Sequence, residues 1–164
     1  MELLLVRHAI AFERSTRRWP DDNERPLSPR GIERARPAAG GLKRLTKPPA
    51  RVLVSPLLRT LQTAALLTQC AGWPKAVPCD ALRPGTAPQK LLALLPRSRD
   101  ARIAVIGHEP DLSALLTLCL DGQTHSAFTL RKMGVASVRF PGAAQAGCGQ
   151  LAAFLPPRLL RAAR

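Results

Sequence analysis

The residues best suited to chemistry stand at the end of a short apolar run near the amino terminus. Residues 3–6 (Leu-Leu-Leu-Val) are followed directly by Arg7 and His8. Four apolar residues are too few for a buried helix and predict a strand covered on both faces of a sheet. Arg7 and His8 then fall at its carboxyl end, where open α/β sheets place their ligand sites. A guanidinium beside an imidazole that can act as a nucleophile predicts an anionic substrate, with phosphate as the first candidate.

A second histidine follows another apolar run in the same way. Residues 103–106 (Ile-Ala-Val-Ile) lead into Gly107 and His108, and a helix-like apolar pattern comes next. If the two runs are neighbouring strands of one parallel sheet, His8 and His108 face the same crevice.

A further cation is directed at this crevice from a third strand. Residues 51–54 predict a buried strand, and Ser55 and Pro56 predict the N-cap and first residue of the helix that follows. Arg59 therefore lies in the first turns of a helix whose amino end points at the carboxyl edge of the sheet.

Strands alternate with helices over most of the chain. Beyond those already named, the pattern predicts a helix from Pro29 to about Leu45 capped by Ser28, a short edge strand at 76–78, and helices at about 87–95 and 110–120. This alternation predicts a three-layer α/β/α sandwich with a mainly parallel central sheet. Residues 9–27 show no sustained period and predict a long loop beside the site, in which Trp19 either packs the loop or faces substrate.

The last third of the chain predicts strands that complete the sheet. They are expected at 126–130, 135–140 and 151–155, around a glycine-rich hairpin at 141–149. We expect one domain over residues 1–157 and a frayed basic tail over 158–164, which carries Arg158, Arg161 and Arg164.

The chain is strongly basic, with 25 Lys and Arg against 11 Asp and Glu and a formal net charge of +14. An arginine-rich, solvated surface explains this charge most simply. A basic nucleic-acid-binding module is the alternative from another functional class. Its support is weak, because the basic residues are scattered, aromatic residues make up only 4% of the chain, and no zinc-finger or RNA-binding signature is present. We therefore expect no specific nucleic-acid partner.

The four cysteines indicate the compartment. Cys70, Cys79, Cys119 and Cys148 fit neither a zinc-ligand spacing nor a Cys-x-x-Cys pair, which predicts free thiols in a reducing cytoplasm. The amino terminus carries Glu2 where a signal peptide would be basic, and its apolar run is too short to span a membrane. We expect a cytoplasmic monomer that binds neither a membrane nor a cofactor.

Four sequence pieces, in this order along the chain, carry a resemblance to a known family. They are Val6-Arg7-His8-Ala9, Arg25-Pro26-Leu27-Ser28 with Gly31, Val54-Ser55-Pro56-Leu57-Leu58-Arg59 with Gln62-Thr63-Ala64, and Ile106-Gly107-His108-Glu109-Pro110. The chain resembles the histidine phosphatase superfamily, which has the phosphoglycerate-mutase-like fold. It is most similar to the small branch of SixA-type phosphohistidine phosphatases.

The resemblance implies catalytic roles that agree with the chemistry of the residues. His8 would be the nucleophile that forms a covalent phosphohistidine, while Arg7, Arg25 and Arg59 would hold the phosphoryl oxygens and His108 would donate a further hydrogen bond. Forked guanidinium donors suit the equatorial oxygens of a loose transition state, so the resemblance implies a phosphatase that needs no metal.

The resemblance is loosest at the general acid. Larger members of the family carry an acidic residue that protonates the leaving oxygen, and the corresponding stretch here contains only Asp80. A phosphoramidate needs such help least, since protonated imidazole leaves more easily than alkoxide. The expected substrate is therefore phosphohistidine on a protein, with a small phosphorylated metabolite as the alternative.

Overall fold

Six strands form one sheet in the computed structural model, which describes residues 1–95, 102–125 and 128–163. The strands are β1 (Glu2–Arg7), β2 (Arg51–Val54), β3 (Val77–Pro78), β4 (Arg102–Gly107), β5 (Val135–Arg139) and β6 (Gln150–Leu155). The α-helices are α1 (Pro29–Leu45), α2 (Leu58–Ala71), α3 (Pro88–Leu94), α4 (Asp111–Asp121) and α5 (Pro157–Ala162), with short 3₁₀ helices at Asp22–Glu24 and Asp80–Leu82.

The order of the strands brings the two histidine-bearing segments together. The sheet runs β3-β2-β4-β1-β5-β6, with β1 to β4 parallel. β1 and β4 are direct neighbours in register, so that Arg7 lies opposite Gly107. β5 is antiparallel to β1, and the residues before β5 therefore lie beside the carboxyl end of β1. The prediction that the two strands are adjacent and parallel is confirmed.

The core has two layers, one on each face of the sheet. Leu4 and Val6 point into a cluster with α1, α2 and α5, whereas Leu3 and Leu5 point into a cluster with α3 and α4. All four side chains are fully buried, as the continuous apolar run predicted. The predicted α/β/α sandwich with a mainly parallel sheet is therefore confirmed.

The carboxyl-terminal segment differs from the expected tail. Residues 158–162 belong to α5, in which Leu160 is fully buried in the same cluster as α1. A Cβ at Gly41 would collide with the Leu160 carbonyl, so the glycine lets α1 and α5 approach closely. The prediction of a frayed tail from residue 158 is wrong for this helix, and Arg164 lies outside the described residues.

Two other predicted elements have different bounds. Residues 128–130 form no strand, and residues 126 and 127 of that predicted strand lie outside the described ranges. Helix α2 begins at Leu58 with Leu57 as its N-cap, so the prediction of Ser55 as N-cap is wrong. By contrast, Ser28 caps α1 as predicted, its hydroxyl accepting a hydrogen bond from Gly31 N at 3.1 Å.

The cysteines and the hydropathy of the helices are the structural features that bear on the expected compartment. All four cysteines are free; burial raises the pKa of Cys119 to about 12, whereas Cys148 is exposed. Within the described ranges, no helix is both long and apolar enough to cross a bilayer. The cytoplasmic location and the monomeric state stay predictions.

Candidate active site

His8 lies at the carboxyl end of β1, with 4% of its surface exposed. Its Nδ1 is 2.6 Å from the carbonyl oxygen of Ala9, which can only accept, so Nδ1 carries the proton and Nε2 keeps its lone pair. The Ala9 amide in turn donates to the Thr63 hydroxyl at 3.0 Å, which ties this corner to α2. Backbone and helix together hold the ring in one tautomer, with the nucleophilic nitrogen available.

The surroundings of His8 keep its ring uncharged. Burial, followed by the positive charges of Lys132 and of a protonated His108, lowers the pKa of His8 to about 2. An imidazole with so low a pKa is neutral throughout the physiological range. A neutral ring is what a nitrogen nucleophile requires.

His108 reaches the same crevice from the end of β4. The centroids of the His8 and His108 rings are 5.2 Å apart, and His108 is also 4% exposed. Its Nε2 lies 2.9 Å from the hydroxyl of Ser55, which is fully buried. Ser55 thus orients His108 instead of capping α2. Burial, followed by Arg59 and Lys132, lowers the pKa of His108 to about 3.

The two depressed histidine pKa values predict that the protein loses stability in acid. Both groups are neutral in the folded state and become protonated in the unfolded chain below about pH 6.5. Stability is therefore complete above that pH and falls as pH drops towards 3, by about 1.4 kcal/mol per pH unit for each histidine. Urea unfolding between pH 7 and pH 4 measures this slope.

The double variant His8→Gln/His108→Gln should lose most of that slope. His125→Gln is the matched control, because His125 is exposed and pairs with Asp121 away from the crevice. If the double variant keeps the slope of the unmodified protein, the acid sensitivity has another source.

Arg7 and Arg59 lie near the two histidines, and each guanidinium keeps one buried nitrogen without a partner. The Nε atoms of both guanidiniums are buried without a hydrogen-bond partner. The Arg59 side chain is only 5% exposed. The Nη1 of Arg7 donates a hydrogen bond to the carbonyl of Leu130 at 2.7 Å. Buried, unpaired N–H groups are costly, and an oxyanion would satisfy them. Arg7 and Arg59 therefore stay candidates for binding an anion.

Asp22 is a site residue that the sequence reasoning missed. Its carboxylate lies 2.7 Å from Arg25 Nε and 3.2 Å from Arg59 Nη2, and its carbonyl accepts from Arg59 Nη1 at 2.8 Å. Its hydrogen bond to Arg25, the largest cause, lowers the pKa of Asp22 to about 2, aided by Arg14. Arg25 also donates to the carbonyl of Phe12 at 2.7 Å. The predicted phosphate-binding Arg25 is thus held, in this structure, by Asp22 and the loop.

Lys132 is the second residue that was missed. It stands in the turn before β5, where the Met133 amide donates to the carbonyl of Arg7 at 3.1 Å. Burial, followed by Arg7, Arg25 and Arg59, lowers the pKa of Lys132 to about 8. Lys132 is therefore a further cation whose charge acts on both histidines, next to a residue that is hydrogen-bonded to the end of β1.

Asp80 follows the carboxyl end of β3, at the same edge of the sheet as the two histidines, but it does not contact them. It opens the 3₁₀ helix that follows β3, its side chain is 84% exposed, and it pairs with Arg83 at 2.7 Å. Within the described residues it makes no hydrogen bond or ion pair to His8, His108 or Arg59. Its role as a general acid stays a prediction.

Trp19 packs the long loop. Its ring lies 5.1 Å from that of Phe12, and the guanidinium of Arg18 lies over both rings.

Among the residues that the structure describes, no cluster of three His, Cys, Asp or Glu side chains has the geometry of a metal site.

Comparisons with known proteins agree with this geometry. The profile of the histidine phosphatase superfamily (branch 1) matches residues 3–83. An uncharacterised protein of Picosynechococcus sp. is 34% identical over 142 residues, which are 85% of each chain. The protein histidine phosphatase SixA, solved with tungstate, is 28% identical with a TM-score of 0.79, covering 98% of this chain and 99% of its own.

A further structural neighbour is a candidate phosphohistidine phosphatase SixA of Nakamurella multipartitia. It is 26% identical with a TM-score of 0.67 and a coverage of 95% on both sides. The likeness to SixA proteins therefore extends over the whole fold, including β5, β6 and α5, which lie beyond the residues that the family profile matches.

Proposed function

We propose that this chain, which belongs to the histidine phosphatase superfamily, removes the phosphoryl group from phosphohistidine on a protein through a covalent phosphohistidine at His8. The observation that carries the proposal is the state of His8. Its ring is neutral, its Nδ1–H is held by the Ala9 carbonyl, and its Nε2 is left as the nucleophile beside the unpaired donors of Arg7 and Arg59.

In the first step, the Nε2 lone pair of His8 attacks phosphorus in line with the leaving imidazole. A new P–N bond forms as the old one breaks, and the bonding electrons leave with the substrate imidazole, which keeps or takes up a proton. Arg7 and Arg59 hold the equatorial oxygens, on which the charge is spread. Positive charge that develops on the His8 ring is stabilised by the hydrogen bond from Nδ1 to the Ala9 carbonyl.

In the second step, water attacks the phosphorus of phospho-His8. The P–N bond to Nε2 breaks, its electrons return to the ring as the lone pair, and the water proton leaves with inorganic phosphate or solvent. The same arginines stabilise this transition state, because it carries the same charges. His108, which Ser55 orients, donates to a phosphoryl oxygen in both steps of the proposed reaction.

The leaving group favours phosphohistidine over an alkyl ester. Asp80, the acid candidate, is exposed and pairs with Arg83, so it can protonate a leaving oxygen only after it leaves that ion pair. The similarity to SixA proteins supports the same substrate. A small phosphorylated metabolite is the alternative within the same chemistry.

An activity panel tests the proposal. A protein phosphorylated on histidine, a sugar phosphate and a nucleotide are offered at equal concentration, with and without a chelator. We expect the phosphohistidine protein to be turned over fastest and the chelator to change nothing, since arginines supply the positive charge. Faster turnover of sugar phosphates would make the metabolite phosphatase the better proposal.

Replacing Asp80 with asparagine should separate the two kinds of substrate. Expulsion of an alkoxide needs a proton in the transition state, a contribution of typically ~100- to 10,000-fold, whereas protonated imidazole needs none. Asp80→Asn should therefore cost little on phosphohistidine and much more on any ester that is turned over. The two kcat/KM values are measured side by side.

Asp121→Asn is the matched control, since Asp121 is also an exposed acid with a basic side chain, His125, beside it, at the far end of α4. An equal loss on both substrates would show that Asp80 is structural or serves every substrate as an acid. The reasoning from the leaving group would then fail.

A further inference from the structure

A cavity of about 570 Å³ lies beside the catalytic crevice, between the start of α1, the turn before β5 and the start of α5. We call it the basic groove. Seven of its thirteen lining residues are cations and none is acidic; the cations are Arg7, Arg30, Arg34, Arg131, Lys132, Arg158 and Arg161.

No described acidic side chain lies within ion-pair distance of these cations, although the charge of Glu109 acts on Arg7. None of them forms an ion pair with another described residue. Two arginines on α1, Arg30 and Arg34, are one helical turn apart, and Arg158 and Arg161 share a face of α5 in the same way. Burial and the nearby Arg34 lower the pKa of Arg161, so the two helices bring like charges together. An anionic ligand would relieve this repulsion.

The basic groove lies next to the catalytic residues, because Arg7 directly precedes His8 in the chain and the turn that holds Lys132 is hydrogen-bonded to Arg7 through the Met133 amide. Arg7 and Lys132 line the groove, and Lys132 is also close enough to lower the pKa values of His8 and His108. A ligand that fills the groove would therefore extend from the position of the phosphoryl group towards α5. The volume is far more than one phosphate needs, and the cations come from four separate segments: β1, α1, the turn before β5, and α5.

We propose that the basic groove docks an acidic segment of the phosphorylated protein substrate, next to its phosphohistidine. This inference rests on the proposed function and adds a determinant of substrate choice outside the reacting group. Arg30, Arg34, Arg158 and Arg161 bind carboxylates of the segment, while Ile10, Met133 and Pro156 provide apolar contacts along the floor.

The lining favours an acidic protein segment over a nucleic acid. Single-stranded nucleic acids bind through aromatic side chains on which bases stack, and no aromatic residue lines the groove. Extended acidic peptides require only spaced cations and some apolar surface, and both are present.

A charge-reversed double variant, Arg34→Glu/Arg161→Glu, tests the binding directly. The probe is a fluorescent hexaglutamate peptide, with inorganic tripolyphosphate and a single-stranded oligothymidine as competing ligands. The matched control, Arg51→Glu/Lys75→Glu, makes the same change in net charge at exposed residues outside the groove. We expect hexaglutamate to bind the groove variant at least about tenfold more weakly than the control.

Three outcomes of the binding test would overturn the proposal. The first is no binding of hexaglutamate to the unmodified protein, and the second is equal binding of hexaglutamate to the two double variants. The third is that oligothymidine binds more tightly than hexaglutamate and loses affinity in the groove variant, which would make the groove a nucleic-acid site.

Kinetics separate this inference from the proposed function. On a phosphohistidine protein with an acidic surface, the groove variant should show a KM raised about tenfold and an unchanged kcat. On free phosphoramidate, which has no segment to dock, kcat/KM should stay unchanged. An unchanged KM for the protein overturns the docking proposal even if the enzyme is active. If hexaglutamate binds the groove but no phosphohistidine protein is turned over, the proposed function fails and the groove still binds acidic peptides.

Discussion

Replacing His8 with alanine is expected to lower kcat on the phosphohistidine protein by about 10,000-fold or more. The variant lacks the nitrogen that accepts the phosphoryl group, and His108, whose Nε2 lies 2.9 Å from the Ser55 hydroxyl, has the proposed role of a hydrogen-bond donor to the phosphoryl oxygens. Water would have to attack the substrate directly, with only the arginines to help. Steady-state release of phosphate measures the loss.

His125→Ala is the control for this experiment, since it removes an exposed imidazole that plays no part in the proposed reaction. Binding of inorganic phosphate to His8→Ala shows whether the arginines are still in place. If that variant binds phosphate and keeps more than a tenth of the turnover, His8 is not the nucleophile.

Replacing Arg59 with methionine is expected to lower kcat by about 1,000-fold. Methionine keeps much of the buried volume while it removes the guanidinium, whose Nε is buried and unpaired and whose Nη atoms contact Asp22. The loss should appear in kcat, because the oxygens carry their charge most fully in the transition state. Arg59→Lys should recover only part of the rate, since an ammonium lacks the fork.

Arg51→Met is the matched control, because Arg51 is exposed at the opposite edge of the sheet, where β2 begins. Circular dichroism and thermal unfolding of both variants show whether the fold is kept. A folded Arg59→Met with a rate within tenfold of the control would exclude Arg59 from transition-state stabilisation.

The part of the site that lies on regular elements could be predicted from the sequence. His8 and His108 each follow a short apolar run, and such runs become neighbouring parallel strands whose carboxyl ends meet at one edge. Arg59 was placed in the crevice because α2 follows the next strand of the sheet. Both placements follow from the spacing of apolar residues along the sequence and from the known geometry of parallel sheets.

The residues on loops could not be placed in the same way. Asp22 lies in the segment after β1, which shows no periodicity, so nothing in the sequence indicates that its carboxylate joins Arg25 to Arg59. Lys132 precedes a strand that is antiparallel to β1, and only that pairing brings it beside His8. Sequence reasoning that paired β5 with β1 would have found Lys132.

Two short sequence patterns, Ser55 followed by proline and the basic residues at the carboxyl terminus, led to wrong predictions because each pattern is compatible with two local structures. Ser55 followed by proline is typical of a helix start, but here the serine hydroxyl binds His108 and the helix begins at Leu58. The basic residues near the carboxyl terminus suggested a frayed tail. Proline at 157 and the apolar Leu160 favour a helix, and burial of Leu160 against α1 stabilises it.

The most direct test of the central claim is to isolate the phosphorylated enzyme. The protein is mixed briefly with a protein substrate that carries radioactive phosphohistidine, denatured in alkali and digested with trypsin. We predict that the label lies on His8, within the peptide of residues 8–14, is stable in base and lost in acid, and is absent from His8→Ala. Full release of phosphate with no labelled enzyme at any time, or a label on His108 instead, would contradict the mechanism.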